Sequence, residues 1–208
     1  MRTHVLLVRC QRASPEGLHE AAQRFCAAAG FPLNLQRVAW SAESRWAYAY
    51  AELPAPRFLE AELLPRLQQA WTEACPAATD TDVSRLELVQ DLAGRSQGAQ
   101  PAHHYVVETD PEAGWEDEIV RWYLQEHLPG LASVPGCVLA RRFVNHDAGP
   151  RSHACYGLVT QDTLGSPPWL AVRGTEWSSR VRPHFTNTRR TMMEIRLDHE
   201  RTRQDAGG

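Results

Sequence analysis

Between residues 46 and 51 the chain alternates Trp46, Tyr48 and Tyr50 with Ala47, Ala49 and Ala51. A period of two belongs to a strand with two different faces, and it predicts a strand over 45–53. Apolar runs predict further strands at 3–9, 33–40 and 83–91. The stretches between them change to helical spacing. Leu18, Ala22, Phe25 and Cys26 share one face of a helix expected over 15–29. Ser14 is its expected N-cap, Pro15 its first residue, and Gly30 lies just past its end. A second helix is expected over 57–75. The order is βαββαβ.

The rest of the chain repeats that order. Strands are expected at 104–109, 136–145, 153–160 and 188–197. A helix over 115–128 carries Trp115, Ile119 and Trp122 on one face, and another spans 167–185 behind Ser166 as cap and Pro167 as first residue. Gly174 and Thr175 interrupt the latter. Residues 93–102 are small and polar without a hydrophobic period, which reads as a linker. The expected division is therefore a domain at 1–92, a linker at 93–102, a domain at 103–197 and a flexible tail at 198–208. The βαββαβ order is the ferredoxin-like plan, an α+β fold with both helices on one face of an antiparallel sheet. The opposite face must also be buried. Two copies in one chain can close face to face into an intrachain barrel, a pseudo-dimer, with Tyr48, Tyr50 and Tyr156 lining or flanking its interior.

Composition narrows the partners. The chain is 43% hydrophobic and 23% charged with a net charge of −3, and its basic residues form no stripe. Neither nucleic acid nor an anionic membrane is an expected partner. The N-terminal apolar run, closed by Arg9, is too short for a signal-peptide core or a membrane span. Five cysteines without a CxxC spacing suit free thiols in a reducing cytoplasm. Nine histidines include no HExxH or HxxxH, so no metal site is expected. Serine-hydrolase, phosphate-loop and dinucleotide fingerprints are absent.

Candidate chemistry gathers around residues 122–136. A helix expected to end on His127, a Pro129-Gly130 stop and a second Pro-Gly at 135–136 place one imidazole at a helix C-terminus. Two readings are open. An imidazole with an ordinary pKa of about 6.5 can act as general acid and base, with Tyr123 one turn earlier orienting it or holding a substrate oxygen. Alternatively, His127 caps the last carbonyls of its helix. Arg141 and Arg142 point to opposite faces of one strand, so one of them can reach a ligand carboxylate or phenolate. Trp169, Arg173, Trp177 and Val181 recur every fourth residue. They form either an aromatic wall with a cation–π contact or a stripe packed on the sheet. Arg182, His184 and Asn187 read as a polar network leading to Arg189 and Arg190.

Several of these motifs occur together in a known order. Trp122-Tyr-Leu-Gln-Glu-His-Leu-Pro-Gly130, Val134-Pro-Gly136 and Ala140-Arg-Arg-Phe143 are followed by Ser166-Pro-Pro-Trp-Leu170, Arg173-Gly-Thr-Glu-Trp177 and Val181-Arg-Pro-His-Phe185. This series, over residues 103–197, resembles the EthD-like branch of the dimeric α/β-barrel superfamily. The first half resembles it only as a degenerate copy, with Phe25 and Cys26 where a histidine would stand. A site built on His127 should thus occur once per chain. The resemblance implies a pocket between helices and sheet. It implies no single chemistry, because the superfamily includes cofactor-free monooxygenases, lactone isomerases, polyketide cyclases and heme-binding enzymes. The expected ligand is a small, planar, oxygenated molecule, bound by Tyr123, Arg142, Tyr156, Trp169 and Trp177. The expected reaction is cofactor-independent proton transfer through His127, with no cofactor and no metal. The alternatives are a non-catalytic ligand-binding or accessory protein and a heme-binding protein. A homodimer of pseudo-dimers is a further expectation.

Overall fold

Alternating and helical patterns become sheet and helices in the expected order, in a computed structural model that describes residues 2–199. The expected tail lies outside the described residues from position 200 onward. The elements of the first half of the chain are β1 (Arg2–Gln11), α1 (Leu18–Ala28), β2 (Asn34–Trp40), β3 (Trp46–Phe58), a 3-10 turn at Ala61–Leu63, α2 (Leu64–Ala74) and β4 (Thr79–Ala93). The second begins with β5 (His103–Pro111), α3 (Glu116–Trp122), a π turn at Tyr123–His127, α4 (Leu128–Ala132), β6 (Cys137–Asn145) and β7 (Ser152–Leu158). It ends with a 3-10 turn at Gln161–Gly165, α5 (Pro167–Arg173), α6 (Glu176–Val181), a 3-10 turn at Arg182–His184 and β8 (Phe185–Asp198). No helix among the described residues is long and apolar enough to cross a membrane.

The chain divides into two compact units. Among the described residues, one comprises 2–87, 145–148 and 193–199, and the other Leu88–Val144 and Gly149–Met192. In the first unit the sheet order is β4-β1-β3-β2, with the end of β8 beside β2, and the registered pairs are antiparallel. Ala47, Ala49 and Ala51 face α1 and α2 and leave room for Phe25 and Trp71, which meet edge to face at 5.7 Å. Tyr48 and Tyr50 alternate onto the other face, where Arg9 is held by Asp82 through two bonds of 3.0 Å and Arg37 by Asp198 at 3.2 Å. Such buried guanidinium groups need paired acceptors.

In the second unit the order is β8-β5-β7-β6, with the end of β4 beside β6. Tyr105, Tyr156, Ala140 and Ala154 pack under the helices with Trp122, Tyr123 and Trp169. Tyr156 therefore faces the helices, which corrects the expectation that it lines the opposite surface with Tyr48 and Tyr50. That opposite surface carries His153 and Glu108, both buried, with Nδ1 and Oε1 3.6 Å apart.

Element boundaries moved where backbone chemistry overrode side-chain period. Helix α1 starts at Leu18 because Gly17 enters it at φ 71°, and Ser14 is not its cap. Pro54 and Pro56 suit extended backbone, so β3 runs on to Phe58 and α2 begins only at Leu64. The helix expected over 167–185 breaks at Gly174. Thr175 then caps a new helix by accepting from the Ser178 N–H at 3.1 Å. Residues 94–96 donate backbone hydrogen bonds to Val138, Ala132 and Cys137 at 2.7 to 2.9 Å, so the start of the expected linker is strapped to its own unit. A side chain at Gly94 would sit 2.2 Å from the Cys137 carbonyl oxygen.

Trp71 is 1% exposed, and its loss would leave the largest void in the first core. Trp71→Ala is expected to cost about 3–5 kcal/mol of stability, read by urea denaturation. A cost under about 1 kcal/mol would contradict this account of the core.

Candidate functional site

Pro129 shapes the site. A proline has no N–H to give and crowds the carbonyl one turn back. The helix does not stop there, as expected, but widens. The Leu128 N–H reaches back to the Tyr123 carbonyl, closing the five-residue π turn, and the helix resumes as α4. In this geometry the donor due to the Leu124 carbonyl would come from Pro129, which has none. Gln90 Nε2 donates to that carbonyl instead, at 3.3 Å. On the other side Thr175 Oγ1 donates to Glu126 at 2.7 Å, tying the turn to the cap of α6. Gly130 lets α4 approach α5, since a Cβ there would lie 2.8 Å from Val172.

His127 thus sits inside a continuous helical stretch, not at a helix C-terminus, and the reading of it as a terminal cap is overturned. Its ring stacks on Trp122 at 4.0 Å and 19°, and Tyr123 meets it edge on at 5.5 Å. It is 8% exposed, and its buried Nδ1 has no hydrogen-bond partner among the described residues. Burial, then the charges of Arg182 and Arg173, push its pKa down to about 3. The expectation of an imidazole that titrates near neutrality is corrected: this one is neutral across the physiological range.

His127 opens onto a cavity of about 30 Å3, space for about two water molecules. The floor is aromatic. Tyr105 and Tyr156 stack at 6.1 Å, and Trp169 stands edge on to both, at 6.1 and 5.3 Å. Burial raises the pKa of Tyr123 to about 12 and raises those of Tyr105 and Tyr156 as well. All three are neutral phenols able to donate a hydrogen bond. Arg173, Arg182 and Arg190 line the same cavity toward solvent.

Of the residues singled out in the sequence, His127, Tyr123, Tyr156 and Trp169 come together around this cavity. Arg142 stands behind them. It is 7% exposed, with its guanidinium 4.9 Å over the Tyr123 ring and one long hydrogen bond, Nε to Ser152 Oγ at 3.4 Å. Arg141 points away and pairs with Asp91 at 2.9 Å. Trp177 does not reach the cavity; its Nε1 donates to Glu118 at 2.8 Å. The proposed stacking of Arg173 between indoles is absent among the described residues, where the cation–π contact of this unit is that of Arg142. His184 stacks on Trp115 at 3.4 Å and meets Glu112 at 2.6 Å, apart from the cavity. Sequence reasoning missed Tyr105, Phe185 and the rim role of Arg182 and Arg190. A signal existed: residues 177–193 hold four arginines and no carboxylate.

A heme does not fit this arrangement. The cavity holds about two waters, not a macrocycle. Burial raises Cys10 and Cys137 to about 12, so these cysteines are neutral thiols and not nucleophiles.

No protein-family model and no curated protein sequence matches the chain. Solved structures match it in fold. An anthrone oxidase-like protein aligns with a TM-score of 0.64 at 14% identity, over 94% of this chain and 92% of its own. A candidate monooxygenase from Lactobacillus acidophilus NCFM aligns at 0.58 and 10% identity, over 93% and 94%. A mutant chlorite dismutase from Candidatus Nitrospira defluvii, solved with cyanide, aligns at 0.59 and 6%, over 94% and 92%. These neighbours have the ferredoxin-like fold of the dimeric α/β-barrel superfamily, and at such identities the likeness defines the class of fold alone.

The buried imidazole makes stability depend on pH. Its folded pKa of about 3 lies below the ordinary value of 6.5. Between these values the unfolded chain takes up a proton that the folded protein refuses. Stability therefore falls as pH drops through that window, by up to about 1.4 kcal/mol per unit. Denaturation curves from pH 7 to 4 should lose this part of the slope in His127→Asn. Equal slopes in both proteins would contradict the buried, neutral state.

Proposed function

We propose that the second unit binds a small, planar, oxygenated organic molecule, whose oxygen meets His127 as a neutral imidazole. The observation that carries this reading is a buried histidine that lines a cavity floored by aromatic rings and whose Nδ1 has no hydrogen-bond partner among the described residues. An unmet buried polar atom costs about 1–3 kcal/mol, and a ligand or water that reaches it recovers part of that cost. The cavity is small, so a ring enters as the half-buried Arg173, Arg182 and Phe185 move aside. Tyr123, Tyr156 and Trp169 contact the ligand, while Arg142 supports Tyr123 from behind. The names of the fold neighbours, a candidate monooxygenase and an anthrone oxidase-like protein, are in keeping with such a ligand.

The same reading takes the protein as an EthD-like member acting in a reducing cytoplasm. It is built from a degenerate repeat at 1–92 and a site-bearing repeat at 103–197 that pair as an intrachain pseudo-dimer, itself able to form a homodimer. A second reading, cofactor-independent proton transfer in an isomerisation or cyclisation, is favoured by one observation: His127 is held in the form that accepts a proton. Burial leaves it a weak base, so this reading requires a substrate with an acidic O–H or C–H.

Calorimetric titration with 2-naphthol at pH 7 tests the binding reading. Binding is expected to weaken about ten-fold or more in His127→Phe. Phenylalanine preserves a ring against Trp122 and removes both ring nitrogens. Absence of binding to the unaltered protein, or equal affinity in the variant, would sink it.

A further inference from the structure

The second unit contains three arginines whose charge nothing in the unit answers. Arg173 is the last residue of α5, Arg182 opens the 3-10 turn after α6, and Arg190 lies in β8, and all three line the same cavity as His127. Arg182 makes one hydrogen bond, Nη1 to the Arg173 carbonyl at 3.4 Å. Arg173 and Arg190 donate none, and no carboxylate pairs with any of the three among the described residues. Elsewhere the chain spends its carboxylates freely: Arg9, Arg37, Arg85, Arg141, Arg180 and Arg196 each have one. The three rim cations also repel one another. Arg182 is held below its ordinary pKa by burial and then by Arg173 and Arg190. Like charges brought together without acids raise the folded protein's energy, and an anion placed among them removes that cost.

The geometry points to a planar organic anion as the ligand of this cavity, its ring on Tyr105, Tyr156 and Trp169 and its anionic oxygens held by Arg173, Arg182 and Arg190. This rests on the binding reading above and names the class of ligand within it. Guanidinium groups suit a carboxylate or phosphate because two N–H groups can meet two oxygens at once. His127 lines the same cavity and is buried, so a neutral oxygen on the far side of the ligand ring would meet its imidazole. The result is a polarised site: cationic at the mouth, aromatic along the floor, neutral and hydrogen-bonding at His127.

Calorimetry with three probes on the full chain tests this: 2-naphthol, 2-naphthoate and 2-naphthyl phosphate share one ring and differ in charge. The anions are expected to bind about ten-fold or more tighter than the naphthol at low salt, with the preference shrinking as NaCl rises. The stronger of the two anions distinguishes a carboxylate from a phosphate head. In Arg173→Gln/Arg182→Gln the anions should lose about ten-fold or more and the naphthol less than about two-fold. Arg196→Gln, an exposed cation in the first unit, should leave all three unchanged. The thermal midpoint of the double variant should not fall, because repulsion is relieved. Equal binding of the naphthol and the anions overturns the inference and leaves the binding reading standing. Binding of none of the three probes overturns both. Equal loss of every probe in the double variant, or a lowered midpoint, shows the arginines to be structural and overturns the inference.

Discussion

Pro129 removes one backbone donor from the middle of a helix, and the second unit is arranged around that loss. The helix widens by one residue at Tyr123–His127 rather than ending, and Gln90 supplies the hydrogen bond that the proline cannot. The extra residue rotates the chain, so that Trp122, Tyr123 and His127 all turn toward the sheet, in ring contact with one another. In an unbroken α-helix residues 122, 123 and 127 spread over a wider arc. The π turn is what makes a single aromatic cluster of them, and it is where an otherwise regular fold departs from regularity.

Electrostatics completes the design. The inner wall of the cavity is neutral: three phenols raised by burial and an imidazole lowered by it. Its rim is cationic. Arg142 stands behind that wall, a buried charge whose neighbours are a tyrosine face and a serine hydroxyl. Burial and the rim charges act on His127 in the same sense, both favouring the neutral ring. A chemical role for it is therefore that of a hydrogen-bond partner first and a base second.

Much of the fold was legible because alternation and helical spacing are local. Tyr48 and Tyr50 against their alanines, and Leu18 with Phe25, predicted faces that the structure confirms. The twice-used βαββαβ order follows from such segments. Boundaries were less legible where prolines and glycines rule, as at Pro54, Pro56 and Gly17. At Pro129 the usual reading of Pro-Gly as a helix stop failed. Here the helix absorbs the proline by widening, and a distant side chain meets the carbonyl left without its donor. Gln90 lies 34 residues away in sequence, and no local pattern reports it.

The sequence by itself determined the order of elements, the faces of strands and helices, and the concentration of unusual residues between 122 and 190. It determined that much because burial of apolar faces follows directly from periodicity. Only the tertiary structure decided which of those residues meet. It brought Tyr105 of β5 under Trp169 of α5 and sent Trp177 to Glu118 instead of the cavity. It also drew Arg173, Arg182 and Arg190 to one rim. The physical reason is the same in each case: packing, desolvation and hydrogen bonding act through space between elements distant in the chain, and they exist only once the helices are laid on the sheet.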